Sequence, residues 1–197
     1  MFNHEYRRLS HVERWDTFPR IKRQSVAEHS FYVALYVSQI CDLLGVKETQ
    51  KLRAIDYALR HDASEAVTGD ILGPIKKCIV NQGRLEEIES IFADQVHDYS
   101  MYRKAGDDHG TYWTRDLIKV ADKIDELFYT AEEQALGNRQ VHRAYGHIMV
   151  GLRKALDFLP DADARKIWGA VMYQLREVLN AGGPLPPDYI PGDENGQ

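Results

Sequence analysis

From Val26 to Leu44 the chain is apolar almost without interruption, and His29, Val33, Tyr36, Ile40 and Leu44 recur at three- and four-residue spacing. That is the period of an α-helix, and a helix apolar around most of its circumference belongs near the centre of a fold. Its limits are also legible. Ser25 followed three residues later by Glu28 reads as a capping box, and Gly45 supplies a C-cap. Such a segment has to be buried under other elements, and the rest of the chain offers helices. The expected class is all-α, a helical bundle with a central buried helix.

A second helix is expected from about Lys47 to Asp62, with Leu52, Ile55, Leu59 and Asp62 on one face, before Thr68-Gly69-Asp70 breaks the pattern. A short helix at Pro74–Val80, a charged amphipathic segment from Gly83 to about Tyr102 and a loop from Lys104 to Gly110 follow. Helical patterns resume over Thr114–Leu136, Asn138–Leu159 and Asp161–Leu179, the last with Asp161 as N-cap. No stretch alternates convincingly, so no substantial sheet is expected. Residues 1–180 read as a single domain with a motif-bearing core at 14–138, and 181–197 as a Pro/Gly-rich tail.

With 197 residues, 44% of them hydrophobic, one substantial core forms without staples. The two cysteines, Cys41 and Cys78, sit in apolar stretches, which argues against a disulfide framework and for a reducing compartment. The N-terminus lacks the apolar run of a secretory signal, and no apolar run is long enough to span a membrane. A net charge of −5 argues against general nucleic-acid binding. The expectation is a soluble cytoplasmic protein with neither a membrane nor a nucleic acid as partner.

The chemistry gathers at a few polar residues with apolar neighbours. His61 and Asp62 end an amphipathic helix, His29 lies one turn into the most apolar helix, and Asp122 is surrounded by Leu117, Ile118, Val120, Ala121 and Ile124. Singly, each has an ordinary reading: a hydrogen-bonded core histidine, a chance His-Asp pair, a helix-end charge. Together they place polar groups on three apolar helices, where a carboxylate is costly unless paired or bound to metal. One divalent cation satisfies them all. Two imidazoles and two carboxylates favour Mn, Fe, Co, Ni or Zn over Mg or Ca, and leave coordination positions open for water and phosphate.

The elements VAEHS, RHDASEAVTGD and KVAD, with Arg14-Trp15 upstream, resemble the H…HD…D signature of the HD-domain phosphohydrolase superfamily. More narrowly they resemble bacterial 5′-deoxynucleotidases and phage HD-domain deoxynucleotide (dATP) phosphohydrolases. The resemblance runs to about Asn138, some two-thirds of the chain. It implies an all-α HD fold with one divalent transition metal held by His29, His61, Asp62 and Asp122. It further implies Glu65 as general acid/base acting through the metal-bound water, Asp70 on the sugar 3′-hydroxyl, Arg14 on phosphate and Trp15 walling the nucleoside. Lys76, close after TGD, and Lys119, just before Asp122, are candidates for further phosphate contacts. His97, His109, His142 and His147 fall in no ligand spacing and are assigned to surface or packing.

The leading expectation is hydrolysis of the 5′-phosphoester bond of a 2′-deoxynucleotide to deoxynucleoside and orthophosphate. The nearest alternative is a deoxynucleoside triphosphohydrolase releasing triphosphate. An inactive nucleotide-sensing HD module is disfavoured because every expected ligand and the acid/base are present, and a signalling-nucleotide hydrolase fits the TGD aspartate less well. Relatives of this kind are often dimeric, so the resemblance also implies a homodimer.

Overall fold

Ser25 and Glu28 cap each other as their spacing requires. Ser25 Oγ accepts the N–H of Glu28 (3.2 Å), and the Glu28 carboxylate accepts the N–H of Ser25 (2.7 Å), so α1 runs from Val26 to Leu44. It stops where Gly45 turns left-handed at φ +67°, a conformation glycine adopts without steric cost, and the Val46 N–H reaches the Cys41 carbonyl at 2.9 Å. The computed structural model describes residues 4–71, Ile75 and 111–182. Lys76, Cys78, His97, His109, the expected elements between Pro74 and Gly110 and the tail from residue 183 lie outside the described residues.

Around α1 stand a 3-10 helix at His4–Ser10, α2 (Glu48–Arg60), the short α3 (Glu65–Thr68), α4 (Thr111–Ala135), a 3-10 turn at Arg139–Val141, α5 (His142–Leu156) and α6 (Asp161–Gly182). The described residues contain no strand, only an isolated antiparallel bridge between Glu13 and Ser25. The fold is all-α.

α4 packs on α1, α5 and α6, while α1 also carries α2. The shared core takes Val33, Val37 and Ile40 from α1, Leu117, Val120, Ile124 and Leu127 from α4, Ile148 and Leu152 from α5, and Ile167, Val171 and Leu175 from α6. Cys41 is a free thiol buried in this core.

Three local expectations change. On α2 the buried positions are Ala54 and Ala58, whereas Leu52 and Leu59 are exposed; two alanines let the α2 backbone approach α1 more closely than leucines would. Asp161 is the first residue of α6, not its cap. The Pro160 carbonyl accepts the N–H of Ala164 (2.9 Å), which makes Pro160 the capping position and leaves the Asp161 charge in the first turn, where the helix dipole favours it. α5 begins only at His142, because Asn138 caps a 3-10 turn by accepting the N–H of Gln140 at 3.1 Å. His142 and His147 lie exposed on α5, in keeping with the surface assignment.

Candidate active site

His29 comes into place through the α1 cap, one turn from its start, and is fully buried. His61 closes α2 as its C-cap, and its Nδ1–H donates to the carbonyl of Ala58 at 2.7 Å. With that proton on Nδ1, Nε2 holds a lone pair. The His29 ring is fixed the same way, with Nδ1 against Asp125 Oδ2 at 2.6 Å. The two rings lie 5.3 Å apart, and the Nε2 atoms of both are buried without a hydrogen-bond partner among the described residues. Two buried imidazole nitrogens that make no hydrogen bond yet face carboxylates are an arrangement a cation resolves.

Two carboxylates complete the cluster. Asp62 Oδ2 lies 3.5 Å from His29 Nε2 and 3.2 Å from His61 Nε2, and Asp122 Oδ1 lies 3.3 Å from His29 Nε2. Ligand atoms of His29, His61 and Asp122 fall within 4.8 Å of one another. Ligands at about 2.1 Å from a transition metal stand about 3 Å apart in neighbouring positions, so the donor set fits such an ion. The electrostatics agree. Burial opposes charge on His29, yet Asp122, Asp125 and Asp62 outweigh it and raise its pKa well above the ordinary value. Burial likewise opposes ionisation of Asp122, but His29, Lys123 and Arg14 hold it well below the usual carboxylate range. The pocket is built for anionic carboxylates facing positive charge.

Arg14 and Trp15 arrive on the segment that precedes α1. That segment is tied across its neck by Arg14 N–H to the Gln24 carbonyl and Val26 N–H to the Val12 carbonyl, each 2.9 Å. Arg14 enters the cluster: its guanidinium touches His29 Nδ1 and lies 3.8 Å from Asp122, 3.5 Å from Asp125 and 3.5 Å from Glu126. A guanidinium only donates, so the Asp125 contact is the one compatible with a proton on His29 Nδ1. Trp15 adopts φ +65°, strained for a bulky residue, and its ring stacks on Tyr129 at 5.2 Å and 9°.

Glu65 opens α3 and is buried, 5% exposed. Its N–H reaches the Asp62 carbonyl at 2.9 Å, so the HDASE segment is a tight turn that keeps Glu65 close to the ligands in the chain. Asp70 is half-buried directly after Gly69, whose φ of +72° ends α3. Lys119 is not brought to the cluster in any described contact. It lies on the exposed side of α4, paired with Asp116 at 2.9 Å and over the Phe158 ring at 5.2 Å. Among the described residues the lysine at the cluster is Lys123, 3.2 Å from Asp122 and 2.6 Å from Glu126.

The sequence pattern does not single out Asp125, Glu126, Lys123 or Gln24. A signal exists for the first two. Asp122, Asp125 and Glu126 are spaced to share one face of α4 beside Ala121 and Ile124, and three acids on an apolar helix face need a reason. Gln24 leaves no such trace.

Against known proteins, the model of the family described as 5′-deoxynucleotidase YfbR-like matches residues 1–164. The chain belongs to that family. A dATP triphosphohydrolase of Salmonella phage PMBT28 is 30% identical over 144 residues, covering 68% of this chain and 70% of the relative. A 5′-deoxynucleotidase of Yersinia pestis (strain Pestoides F) is 29% identical over 153 residues, covering 70% of this chain and 75% of that one. The fold is that of the HD phosphohydrolase of cyanophage S-2L, solved with dA and one catalytic Zn²⁺ ion. The match has TM-score 0.74 at 19% identity and covers 90% of this chain and 98% of that one. By its family this YfbR-like chain is a phosphohydrolase of the 5′-deoxynucleotidase kind, and the family match extends beyond the motif-bearing core into α6.

Proposed function

We propose that the protein hydrolyses the 5′-phosphoester bond of 2′-deoxynucleoside monophosphates to deoxynucleoside and orthophosphate. The observation that carries this is the pair of buried Nε2 atoms on His29 and His61, which make no hydrogen bond and lie 3.2–3.5 Å from Asp62 or Asp122, within a family of deoxynucleotidases. A transition-metal ion (Mn, Co, Zn, Ni or Fe) held by these four residues would supply Lewis acidity toward the phosphate and acidify water. Glu65, a buried carboxylate, takes the proton of the attacking water and returns one to the leaving 5′-oxygen. Arg14 meets the phosphate with a planar donor set, Trp15 walls the nucleoside, and Asp70 accepts from the sugar 3′-hydroxyl. Lys76 and Lys119 are proposed as further phosphate contacts, of use chiefly to a substrate with more than one phosphate.

The second reading, release of triphosphate from a deoxynucleoside triphosphate, is favoured by the phage relative's name. The described cations near the cluster weigh the other way. Arg14 and Lys123 are already engaged by Asp122, Asp125 and Glu126. Among the described residues that leaves little positive charge at the cluster for two further phosphates.

The reading includes a single domain over residues 1–180, supported by the core that α1, α4, α5 and α6 share. It includes a cytoplasmic homodimer, for which Val150, Phe158 and Tyr173 offer exposed apolar surface on and between α5 and α6. No described helix is long and apolar enough to cross a membrane.

The deciding experiment offers the protein with Mn²⁺ or Co²⁺ every dNMP and dNTP and identifies the released anion. Orthophosphate from dNMPs is expected. Triphosphate from a dNTP, with dNMPs untouched, would replace the first reading by the second.

A further inference from the structure

A chain of hydrogen bonds runs from the wall of the proposed nucleoside site to a proposed metal ligand. The indole Nε1–H of Trp15 donates to Gln24 Oε1 at 3.2 Å, and Gln24 Nε2 donates to Asp125 Oδ2 at 2.9 Å. The same Oδ2 receives His29 Nδ1–H at 2.6 Å. The last three members are buried: Gln24 is 5% exposed, Asp125 3% and His29 0%. An indole N–H can only donate and an ionised carboxylate can only accept, so the Gln24 amide has a single allowed orientation. It must offer oxygen to Trp15 and nitrogen to Asp125. No carboxylate, thioether or aliphatic side chain of similar reach does both. Arg14 also lies 3.5 Å from Asp125 Oδ2, but a guanidinium has no acceptor for the indole and cannot replace the amide.

We propose that Gln24 is a positioning residue that, through Asp125, makes the orientation of Trp15 and the presentation of His29 Nε2 to the metal one mechanical unit. The proposal rests on the reading of His29 as ligand and Trp15 as nucleoside wall. Its physical content is that Asp125 Oδ2 has its position set by Gln24 as well as by His29. When the amide is lost, the carboxylate gains freedom, the proton on Nδ1 is held less firmly, and Nε2 is no longer fixed in direction. Because Trp15 sits at the far end, a movement of the indole reaches His29 along the same path.

The test is the Co²⁺ affinity of the full-length protein without any nucleotide, measured by competition with a chelator. Gln24→Met keeps the volume and removes both polar ends. Gln24→Glu keeps an acceptor for Trp15 but sets a carboxylate against Asp125. Trp15→Phe keeps an aromatic wall and removes the N–H. Both Gln24 variants should bind Co²⁺ about tenfold more weakly, the lower end of what outer partners of a metal ligand contribute. Trp15→Phe should weaken it by about threefold, the scale of one neutral hydrogen bond.

The double variant should be no weaker than Gln24→Met alone, because both changes interrupt one path. Wild-type Co²⁺ affinity in Gln24→Met or in Trp15→Phe overturns the proposal, and so do effects that simply add in the double variant. If the Gln24 variants fail to fold, Trp15→Phe decides alone. The measurement contains no substrate, so the functional reading fails separately. A wild type that binds Co²⁺ tightly but turns over no deoxynucleotide would refute that reading while the relay is still tested.

Discussion

His61 and Glu65 lie four positions apart in one turn, yet they are expected to fail differently when removed. His61 turns a buried Nε2 with no hydrogen bond toward the cluster, so His61→Ala should lose bound metal and activity together, with helical content nearly unchanged. Glu65→Ala should keep its metal, measured by elemental analysis, and lose turnover by about a hundredfold or more, the usual scale of acid/base contributions. Near-wild-type turnover in Glu65→Ala would remove it from the mechanism. Asp70 is the residue proposed to meet the sugar. If it accepts from the 3′-hydroxyl in a tight pocket, the deoxynucleotide should exceed its ribonucleotide by at least about tenfold in kcat/KM, since rejection of an added hydroxyl is typically near 10²-fold. Asp70→Ala should lower activity on the deoxy substrate and narrow that gap. Equal efficiency on both sugars in the wild type would defeat the assignment.

At the scale of elements, the segment between the 3-10 helix and α1 is shaped by α4 as well as by its own residues. Glu133 of α4 is fully buried and accepts the N–H groups of Ile21 (2.8 Å) and Lys22 (2.6 Å) with its two carboxylate oxygens. Asn138 donates to the same carboxylate (2.6 Å) and to the Pro19 carbonyl (2.7 Å), and Tyr129 donates to the Lys22 carbonyl at 2.6 Å. This clamp fixes the loop at Pro19, Ile21 and Lys22, and its Tyr129 also stacks on the ring of the left-handed Trp15. Glu133→Gln replaces one acceptor by a donor that meets other donors. It should cost about 1–3 kcal/mol of unfolding free energy, the range for a buried polar group left unsatisfied. Urea denaturation measures that cost, and KM for the deoxynucleotide should rise as the loop carrying Arg14 and Trp15 loosens. An unchanged denaturation midpoint would show that the clamp is dispensable.

Among the described residues there are two kinds of interior. The apolar core shared by α1, α4, α5 and α6 needs no ion, whereas the site at one side of it gathers carboxylates whose mutual repulsion a bound cation, with Arg14 and Lys123, relieves. The metal-free protein should therefore remain folded and be stabilised on metal addition. At a free metal concentration a hundredfold above Kd the gain is about 2.7 kcal/mol. In a domain of this size that is a rise in Tm of about 5–10 °C, seen by calorimetry as metal is titrated into chelator-treated protein. His61→Ala should abolish the rise. A protein whose melting does not respond to Mn²⁺, Co²⁺ or Zn²⁺ would not contain the site described.

The helical class, the cap at Ser25 and Glu28, the stop at Gly45 and the polar residues on apolar helices are local matters. Hydrophobic period, capping chemistry and glycine's access to positive φ act over a few residues, so the sequence alone determined them. The same holds for His29, His61, Asp62 and Asp122 as a set worth uniting, because polar groups in apolar surroundings declare their need for a partner. Which alanines of α2 face α1, which lysine meets Asp122 and why Trp15 bears a strained backbone were decided only in the tertiary structure. So was the path from Trp15 through Gln24 and Asp125 to His29, whose contacts join residues about a hundred positions apart. Hydrogen bonds of that kind depend on where two helices place their surfaces, and no periodicity within either segment records it.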